Sequence, residues 1–377
     1  MKKIAIIGAS YLQAPLIEKA KAIGLETHVF AWAADDVGEK IADYFYPISI
    51  IEKDEILTKC IEIGINGICT IASDLAVVTV NYVAEKMGLV GNSIEATLVS
   101  TNKHLMRRAF EQKGDPSPKS ILIEKLEDID ELNVEFPVIA KPLDRSGSRG
   151  ITKVYNGEEL QAAVEDAMNQ GFIKKALVEE FVEGQEYSVE YISYKGKHTF
   201  LALTKKYTTG SPGFIETAHL EPVIVGANTL GEIKQVVEHA LSTLGIENGA
   251  SHSELKISDT GDIKIVEIGG RMGGDFIGSS LVEISTGVDF VKAVIDVAMG
   301  NEPVIGFKDK QSAAAVRFIF DEQDISVLEK IKKEMPDSIV SFDYDEHVGE
   351  LVNDSSERHG YYILKAEEPE MLEKYLV

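Results

Sequence analysis

Cysteine is scarce in this 377-residue sequence, which contains only Cys60 and Cys69. Their spacing matches no metal-binding pattern and their neighbours are mostly apolar, so we expect two buried free thiols and no disulfide scaffold. Basic residues are also in short supply, with 38 Lys plus Arg against 62 Asp plus Glu and a formal charge of −24. So acidic a surface would repel nucleic acids and anionic membranes, and a small anionic substrate would need a local basic pocket.

Long apolar runs are missing as well. The opening residues 1–8 contain too short an apolar stretch for a signal peptide, and no later run is long enough to span a bilayer. We therefore expect a soluble, cytoplasmic protein. The length predicts two or three domains, because one hydrophobic core rarely serves so long a chain.

The first ninety residues alternate between strand and helix patterns. Strands are expected at 3–8, 26–30 and 67–70, and helices at 14–23 and 75–87. This alternation predicts a parallel sheet with helices on both faces. The glycine fingerprint for a dinucleotide pyrophosphate is incomplete after Gly8, and no Gly-x-x-x-x-Gly-Lys-Ser/Thr segment occurs, so a P-loop is excluded on sequence.

The middle of the chain combines a strand lysine with a flexible loop. One helix is predicted from Ile94 to about Gly114, and a strand over 137–142 carries Lys141. A Ser/Gly loop follows directly, and such a loop lets backbone N–H groups approach phosphate oxygens. A mobile surface loop is the alternative. Asn156 is expected to cap a helix that runs to about Gln170.

A predicted hairpin brings two carboxylates together. Residues 259–262 have the sequence of a two-residue turn, and the flanking segments alternate as strands do. If Asp259 pairs with Asp262, counting back equally along both arms places Glu254 opposite Glu267. Opposed residues have Cβ atoms roughly 4.5–5.5 Å apart, and like charges there are destabilising unless a cation lies between them. The hairpin therefore predicts a site for Mg²⁺ and nucleotide phosphates, with two solvated glutamates as the alternative.

Five motifs follow one another along the chain. They are, in order, Lys103 on a helix, Pro137-Val-Ile-Ala-Lys141-Pro142, the loop Ser146-Gly147-Ser148-Arg149-Gly150, Val178-Glu179-Glu180-Phe181-Val182-Glu183-Gly184-Gln-Glu186, and Glu254 with Glu267-Ile-Gly-Gly-Arg271. Together they resemble the ATP-grasp superfamily, over roughly residues 1–300. Within that superfamily the chain looks most like the carboxylate–amine ligases grouped with carbamoyl-phosphate synthase and the L-amino-acid ligases.

The resemblance implies a role for each of these residues. ATP would lie between two α+β subdomains, with Lys103 and Lys141 on its phosphates and the segment 145–150, including Ser146, Gly147 and Ser148, closing over them. The segment that contains Glu179, Glu180 and Val182 would meet the adenine, and Glu186 would bind the ribose. Glu254 and Glu267 would hold one or two Mg²⁺ ions, with Mn²⁺ as the alternative. Arg271 would stabilise the transferred phosphoryl group or a substrate carboxylate.

Two features bear on the second substrate and on the metal count. Similar ligases carry a Phe-x-Glu-x-x-His-x-x-Pro segment beside the acceptor site, and residues Phe214 to Pro222 of this chain match it. Glu216 and His219 are therefore candidates for orienting or deprotonating an amine. A structural loop histidine is the alternative. His252 shares the Glu254 face, which places it near the site, and a structural hydrogen bond is the alternative. Many relatives have Asn two residues after the second metal glutamate, where this chain has Gly269, so the number of metal ions stays open.

The expected fold class is α/β plus α+β. A Rossmann-like parallel domain is expected over 1–93, a two-subdomain ATP-grasp fold over 94–304 and a C-terminal α+β segment over 305–377. The resemblance implies an ATP-dependent ligase that joins a small carboxylate to an amine through an acyl phosphate, acting as a homodimer. The alternatives are a biotin-carboxylase-like or carbamoyl-phosphate-synthase-like enzyme, a nicotinamide-dependent oxidoreductase, or a non-catalytic nucleotide-binding protein.

Overall fold

The computed structural model describes residues 1–145, 149–211, 213–345, 348 and 351–376. Within these residues the chain forms one parallel and two antiparallel sheets, which confirms the predicted mixture of α/β and α+β structure. The predicted phosphate-loop residues Ser146, Gly147 and Ser148 lie outside the described part of the chain. None of the helices in the described ranges is long and apolar enough to cross a membrane.

The N-terminal region is a four-stranded parallel sheet with strand order β3-β2-β1-β4. Its elements are β1 (Lys3–Ile7), α1 (Ala14–Ala22), β2 (Glu26–Phe30), α2 (Val37–Ile41), β3 (Tyr44–Tyr46), α3 (Lys53–Ile63), β4 (Gly67–Cys69) and α4 (Asp74–Met87). β1 is buried along almost its whole length, as a central parallel strand must be. The predicted strands and helices of this region are confirmed to within about two residues, but the edge strand β3 and the helices α2 and α3 were not predicted.

Two helices follow where a single one was predicted. They are α5 (Ile94–Thr101) and α6 (Lys103–Lys113). The prediction of one helix to Gly114 is wrong because Asn102 adopts an extended conformation, ends α5 and caps α6 by accepting a hydrogen bond from the Leu105 N–H at 3.1 Å. The break places Lys103 at the first position of α6.

A four-stranded antiparallel sheet with order β5-β8-β6-β7 comes next. Its elements are β5 (Ser120–Ile123), β6 (Val138–Pro142), β7 (Thr152–Val154), α7 (Gly157–Gln170) and β8 (Ala176–Glu180). Asn156 caps α7 as predicted, accepting from the N–H groups of Glu158 and Glu159. The apolar face of α7 covers one side of the sheet, so the other side is left to face the rest of the protein.

The largest sheet is antiparallel, with order β13-β12-β9-β10-β11-β14-β16-β15. Its elements are β9 (Gln185–Tyr194), β10 (Lys197–Thr208), β11 (Glu216–Glu221), α8 (Ala227–Thr243), β12 (Gly249–Ile257), β13 (Ile263–Gly269), α9 (Val282–Thr286), α10 (Phe290–Ala298), β14 (Ala313–Phe318), α11 (Glu322–Glu334), β15 (Ile339–Tyr344), β16 (Gly360–Ala366) and α12 (Glu370–Glu373). The strands of the C-terminal segment therefore extend the same sheet that begins with β9. The described 3₁₀ turns are Leu126–Glu131, Pro336–Ser338 and Ser355–Glu357, and Ile277–Leu281 is a π-helical turn.

Helix α10 joins the parallel sheet to the large sheet. Most of its residues are buried, and it packs against α1 and β4 on one side and against β9 and β12 on the other. Its charged residues Lys292 and Asp296 lie one turn apart and pair with each other at 2.6 Å, so the rest of the helix presents an apolar surface to the core. This contact brings the carboxyl ends of the parallel strands close to the polar face of the large sheet.

The β12–β13 hairpin confirms that Glu254 opposes Glu267, although its turn was wrongly predicted. The last paired residues are Ile257 and Ile263, and residues 258–262 form a longer loop than the two-residue turn expected. A bulge at Val266 then adds one residue to the β13 arm before Glu267. The longer loop shifts the register by one residue and the bulge shifts it back.

Candidate active site

A cavity of about 460 Å³ opens between the two antiparallel sheets and the carboxyl ends of the parallel strands. Most residues predicted for the site line it. They are Lys103, Lys141, Glu179, Glu180, Val182, Glu186, Glu216, His219, Glu254, Glu267 and Arg271. One face of the large sheet forms the polar floor of the cavity. Glu186, Ser188 and Glu190 are alternate residues of β9 and therefore share this face, and the strands paired with β9 are β10 and β12.

The two opposed carboxylates each contact a lysine. Lys103 Nζ lies 2.6 Å from Oε1 of Glu267, and Lys206 Nζ lies 2.5 Å from Oε1 of Glu254. The like charges that the hairpin places together are thus offset from both sides.

Lys206 is buried among three carboxylates and was not singled out from the sequence. Besides Glu254, its Nζ lies 3.2 Å from Glu186 and 3.6 Å from Glu216. Burial alone would lower the pKa of Lys206, but these carboxylates raise it well above its ordinary value. The lysine therefore stays charged, and it connects the expected ribose and acceptor ends of the cavity.

Lys141 belongs to a second buried cluster. Its Nζ lies 2.6 Å from Oε2 of Glu179, and Arg107 approaches the same carboxylate with Nε at 2.9 Å and Nη2 at 3.2 Å. Burial opposes ionisation of Glu179, but Lys141 and Arg107 lower its pKa to about 2. Burial also lowers the pKa of Lys141, although Glu179 opposes that shift. In the structure the Glu179 side chain thus orients two cations, whereas the resemblance had implied contact with the adenine.

His252 lines the same cavity as Glu254 and Glu267 and also forms a structural hydrogen bond. Its Nδ1 donates to the fully buried Glu190, and its Nε2 is 3.4 Å from Oε1 of Glu254. Burial opposes the charged ring, but Glu190 raises the pKa of His252 to about 9. Glu190 also accepts a hydrogen bond from the Gly273 N–H at 3.0 Å. The buried Glu190 side chain therefore connects β9 with the segment after β13.

Arg271 is paired with a carboxylate of the N-terminal region. Its Nε and Nη2 donate to the two oxygens of Asp74 at 3.0 and 2.9 Å. Asp74 is the first residue of α4, whose N-cap Ser73 accepts from the Ala76 N–H. The cavity is therefore completed by the first ninety residues.

The expected acceptor end of the cavity contains Glu216 and His219. His219 is buried, and neither ring nitrogen hydrogen-bonds to another described residue, since Oδ2 of Asp275 is 3.8 Å from Nε2. Burial lowers the pKa of His219, so the ring is neutral near pH 7 and has a nitrogen free to accept a proton. Asp275 is held by Arg358 through two hydrogen bonds of 2.9 and 2.8 Å.

The C-terminal segment reaches the cavity at Ser355 and contacts both of its ends. Arg358 holds Asp275 at the acceptor end. Arg149, which belongs to the predicted phosphate loop, donates from Nε to Oδ2 of Asp354 at 3.2 Å and from Nη2 to Oγ of Ser356 at 2.9 Å. We call residues 354–358 the C-terminal clasp. It connects the loop expected over the phosphates with the wall of the acceptor end.

The opposite end of the cavity is apolar enough for an adenine ring. Lys153 Nζ lies 3.5 Å above the Phe181 ring, and Lys256 lies 5.2 Å from the same ring. The apolar residues that line this part of the cavity are Pro118, Ile139, Pro142, Ile151, Phe181, Val182 and Val266.

The donor set fits Mg²⁺ bound together with a nucleotide. In the described part of the chain no three His, Cys, Asp or Glu side chains form a self-contained metal site. Mg²⁺ commonly takes one or two protein carboxylates and completes its octahedron with water and phosphate oxygens. Glu254 and Glu267 supply those two carboxylates, and Lys103 and Lys141 stand beside them for the phosphates.

Sequence reasoning missed Arg107, Lys206, Asp74, Asp275 and Arg358. Two of these had a local signal: Arg107 follows Lys103 by one helical turn, and Lys206 lies in the acceptor segment already singled out. Asp74 and Arg358 come from segments distant in sequence from the motifs. Asp275 follows Arg271 closely, but only the tertiary structure pairs it with Arg358.

The cavity-forming segment matches a known family in sequence. Residues 134–279 match the family description "ATP-grasp domain". We call this matched segment the ATP-grasp domain. It supplies Lys141, Glu179, Glu254, Glu267 and Arg271, while Lys103 and Asp74 precede the matched residues.

Two curated relatives and one solved structure show similarity beyond the ATP-grasp domain. Alanine–anticapsin ligase of Bacillus subtilis is 28% identical over 297 residues, which cover 70% of this chain and 62% of the relative. Carnosine synthase 1 of Mus musculus is 24% identical over 340 residues, which cover 81% and 40%. The crystal structure of L-amino acid ligase from Bacillus licheniformis superposes with a TM-score of 0.84 at 22% identity, covering 100% and 96%. This chain thus spans about three fifths of the anticapsin ligase, and the superposition shows a shared fold.

Proposed function

We propose that this protein is an ATP-dependent ligase that joins a small carboxylic acid to an amine. The observation that carries the proposal is the opposed pair Glu254 and Glu267, with Lys103 and Lys141 beside it and Arg271 beyond it in one cavity. The names of two relatives, alanine–anticapsin ligase and L-amino acid ligase, support amide formation between amino-acid-like substrates.

The cations of the cavity serve the phosphoryl-transfer step. A carboxylate oxygen of the acid attacks the γ-phosphorus of ATP, the bond to the β–γ bridging oxygen breaks, and ADP leaves with that oxygen. Lys103, Lys141 and Arg271 offset the negative charge of the transferred group. Glu254 and Glu267 would hold Mg²⁺, which supplies further charge neutralisation when bound.

The acceptor end serves amide formation. The amine nitrogen attacks the carbonyl carbon of the acyl phosphate, and inorganic phosphate leaves with both electrons of the broken C–O bond. Glu216 faces the cavity as a carboxylate that attracts an ammonium group. His219 is neutral and has no hydrogen bond to another described residue, so it takes the proton that the amine gives up. No enzyme nucleophile is needed.

The nucleotide contacts and the larger organisation follow from the same proposal. Adenine lies against Phe181 and the backbone of Val182, Glu186 faces the ribose, and Glu179 acts by orienting Lys141. We propose three regions of the chain: a Rossmann-like domain over 1–93, a two-subdomain ATP-grasp fold over 94–304 and a C-terminal α+β segment over 305–377. We also propose a cytoplasmic homodimer that binds one or two metal ions per site. Light scattering and metal titration in the presence of an ATP analogue test the last two points.

The test uses purified protein with ATP, Mg²⁺ and pools of carboxylic acids, with and without pooled amines. We expect phosphate release that requires an acid and an amine, together with ADP and a product whose mass is the sum of the two minus water. Glu267→Gln removes this activity, while Glu302→Gln, an exposed control, retains it. If ATP and Mg²⁺ do not bind in a direct titration, the proposal is wrong. Bicarbonate-dependent release without an amine would instead indicate a carboxylase.

A further inference from the structure

The segment after β13 is docked onto the start of α4 at two points. One is the paired contact between Arg271 and Asp74. The other is a backbone hydrogen bond of 3.2 Å from the Ala72 N–H to the Met272 carbonyl. Ala72 has a φ of 58°, which is uncommon for a residue other than glycine. Such a conformation persists where the surrounding structure imposes it. The loop between β4 and α4 therefore determines where the Arg271 guanidinium lies.

Gly269 provides the space for this docking. It ends strand β13, where its φ is not in the left-handed region, so its backbone does not require glycine. A Cβ atom at this position would lie 2.8 Å from Oδ1 of Asp74 and 3.1 Å from Cζ of Arg271. Carbon atoms in van der Waals contact are about 3.5–4.0 Å apart, so any side chain here would displace the pair.

We propose that Asp74 is a positioning residue for Arg271, and that the Asp74–Arg271 pair occupies the place of the side chain absent at Gly269. The Nε and Nη2 side of the guanidinium is held by Asp74, and Nη1 has only a long contact of 3.4 Å to the Met272 carbonyl. The Nη1 end is thus the part of Arg271 left for a substrate. The departure from the asparagine common among relatives is then explained by packing against the N-terminal region.

The catalytic part of this inference rests on the proposed function, so two kinds of measurement are needed. The first is thermal unfolding of wild type, Asp74→Ala, Gly269→Ala and the double variant, which needs no activity. If the two positions share space, Gly269→Ala lowers the unfolding temperature of the wild type and has little effect on Asp74→Ala. Equal effects in both backgrounds would show that Asp74 does not fill the space, and would overturn the inference.

The second measurement is steady-state kinetics of Asp74→Asn, which keeps the shape of the side chain and removes its charge. We expect kcat to fall at least about tenfold while KM for ATP changes less than about threefold, because Arg271 acts in the transition state. In an Arg271→Ala background, Asp74→Asn should cause no further loss. Asp35→Asn, at an exposed aspartate beside Lys40, is the control and keeps wild-type kinetics.

The outcomes separate this inference from the proposed function. A wild-type kcat in Asp74→Asn would overturn the proposal that Asp74 positions Arg271. So would a further fall in kcat when Asp74→Asn is added to Arg271→Ala. A wild-type protein without turnover on any acid and amine would overturn the ligase proposal and the catalytic role of Asp74 with it. The thermal unfolding of the four proteins would still decide whether the Asp74 side chain occupies the space beside Gly269.

Discussion

Buried charges dominate the cavity at the scale of single residues. Lys141 and Arg107 share the Glu179 carboxylate, which is 4% exposed, and Lys206 shares three further carboxylates. Burying a charge is unfavourable unless it is paired, so these clusters are stable only while every partner is present. The acidic composition had predicted that anionic substrates would need a local basic pocket. The structure provides one in which each principal cation already has a counter-ion.

Glu179→Gln tests this dependence. The substitution leaves Lys141 and Arg107 buried without a full counter-charge, and breaking a buried ion pair typically destabilises a protein by about 3–5 kcal/mol. We expect a loss of that size in urea unfolding. Glu180→Gln is the matched control, because its partner Lys264 and the Glu180 side chain are both about one third exposed. There we expect a change of at most about 1 kcal/mol. Equal losses in the two variants would contradict the account.

Glu221 gives a pH-dependent prediction. Its side chain is fully buried with one hydrogen bond from Thr204 at 2.9 Å, and burial raises its pKa to about 8. The folded state therefore keeps a proton that the unfolded chain loses above about pH 4.5. The contribution of Glu221 to the free energy of unfolding is therefore fully present below about pH 4.5. It is lost progressively as the pH rises to about 8, where Glu221 ionises in the folded protein.

Glu221→Gln removes this titration. We expect the variant to be more stable than the wild type at pH 8, by about 1–3 kcal/mol, and to lose less stability between pH 5 and 8. Urea unfolding at a series of pH values measures both quantities. Parallel pH profiles for the two proteins would show that Glu221 does not carry a raised pKa.

At the scale of elements, sequence patterns predicted the order of strands and helices better than their junctions. A continuous apolar run predicted β1, and the Asn156 cap predicted the start of α7. The cap residue Asn102 was a local signal for the helix break that the prediction of one long helix overlooked. The bulge at Val266 had no local signal, because it depends on what packs against the backbone. Arg107 donates to the Val266 carbonyl at the bulge. The pairing of Glu254 with Glu267 was predicted correctly because a wrong turn and an unseen bulge offset each other.

Asn102 is a useful position for testing an element boundary. Asn102→Ala removes the cap of α6 and should destabilise the protein by about 1 kcal/mol. Because Lys103 is the next residue and contacts Glu267, we also expect weaker ATP binding in an isothermal titration with Mg²⁺. Asn102→Ser keeps a capping oxygen and should restore both properties. If Asn102→Ala weakens neither stability nor binding, the helix break does not position Lys103.

At the scale of the whole molecule, the cavity needs all three regions of the chain. Asp74 begins helix α4 of the N-terminal region, Glu254 and Glu267 come from the ATP-grasp domain, and Arg358 comes from the C-terminal clasp. The motifs of the ATP-grasp domain could be recognised in the sequence because their residues are close in sequence or in register. Asp74 precedes the ATP-grasp domain and Arg358 follows it, with about three quarters of the chain between them, so no local pattern could relate them to the site.

The C-terminal clasp predicts coupled protection when nucleotide binds. With an ATP analogue and Mg²⁺, we expect slower hydrogen exchange in the segment 145–150 and also in residues 351–359, because Arg149 contacts Asp354 and Ser356. In Arg149→Ala the second effect should disappear while nucleotide binding persists. Unchanged exchange of 351–359 in the wild type would contradict the coupling.

The central claim is that a substrate carboxylate is phosphorylated by ATP before the amine attacks. Isotope transfer tests it most directly. With a turning-over acid labelled with ¹⁸O in its carboxylate, an amine, ATP and Mg²⁺, the attacking oxygen should end in inorganic phosphate, and mass spectrometry should find one ¹⁸O atom per phosphate released. Phosphate free of label, formed while the amide accumulates, would show that the carboxylate does not attack the γ-phosphorus and would contradict the account.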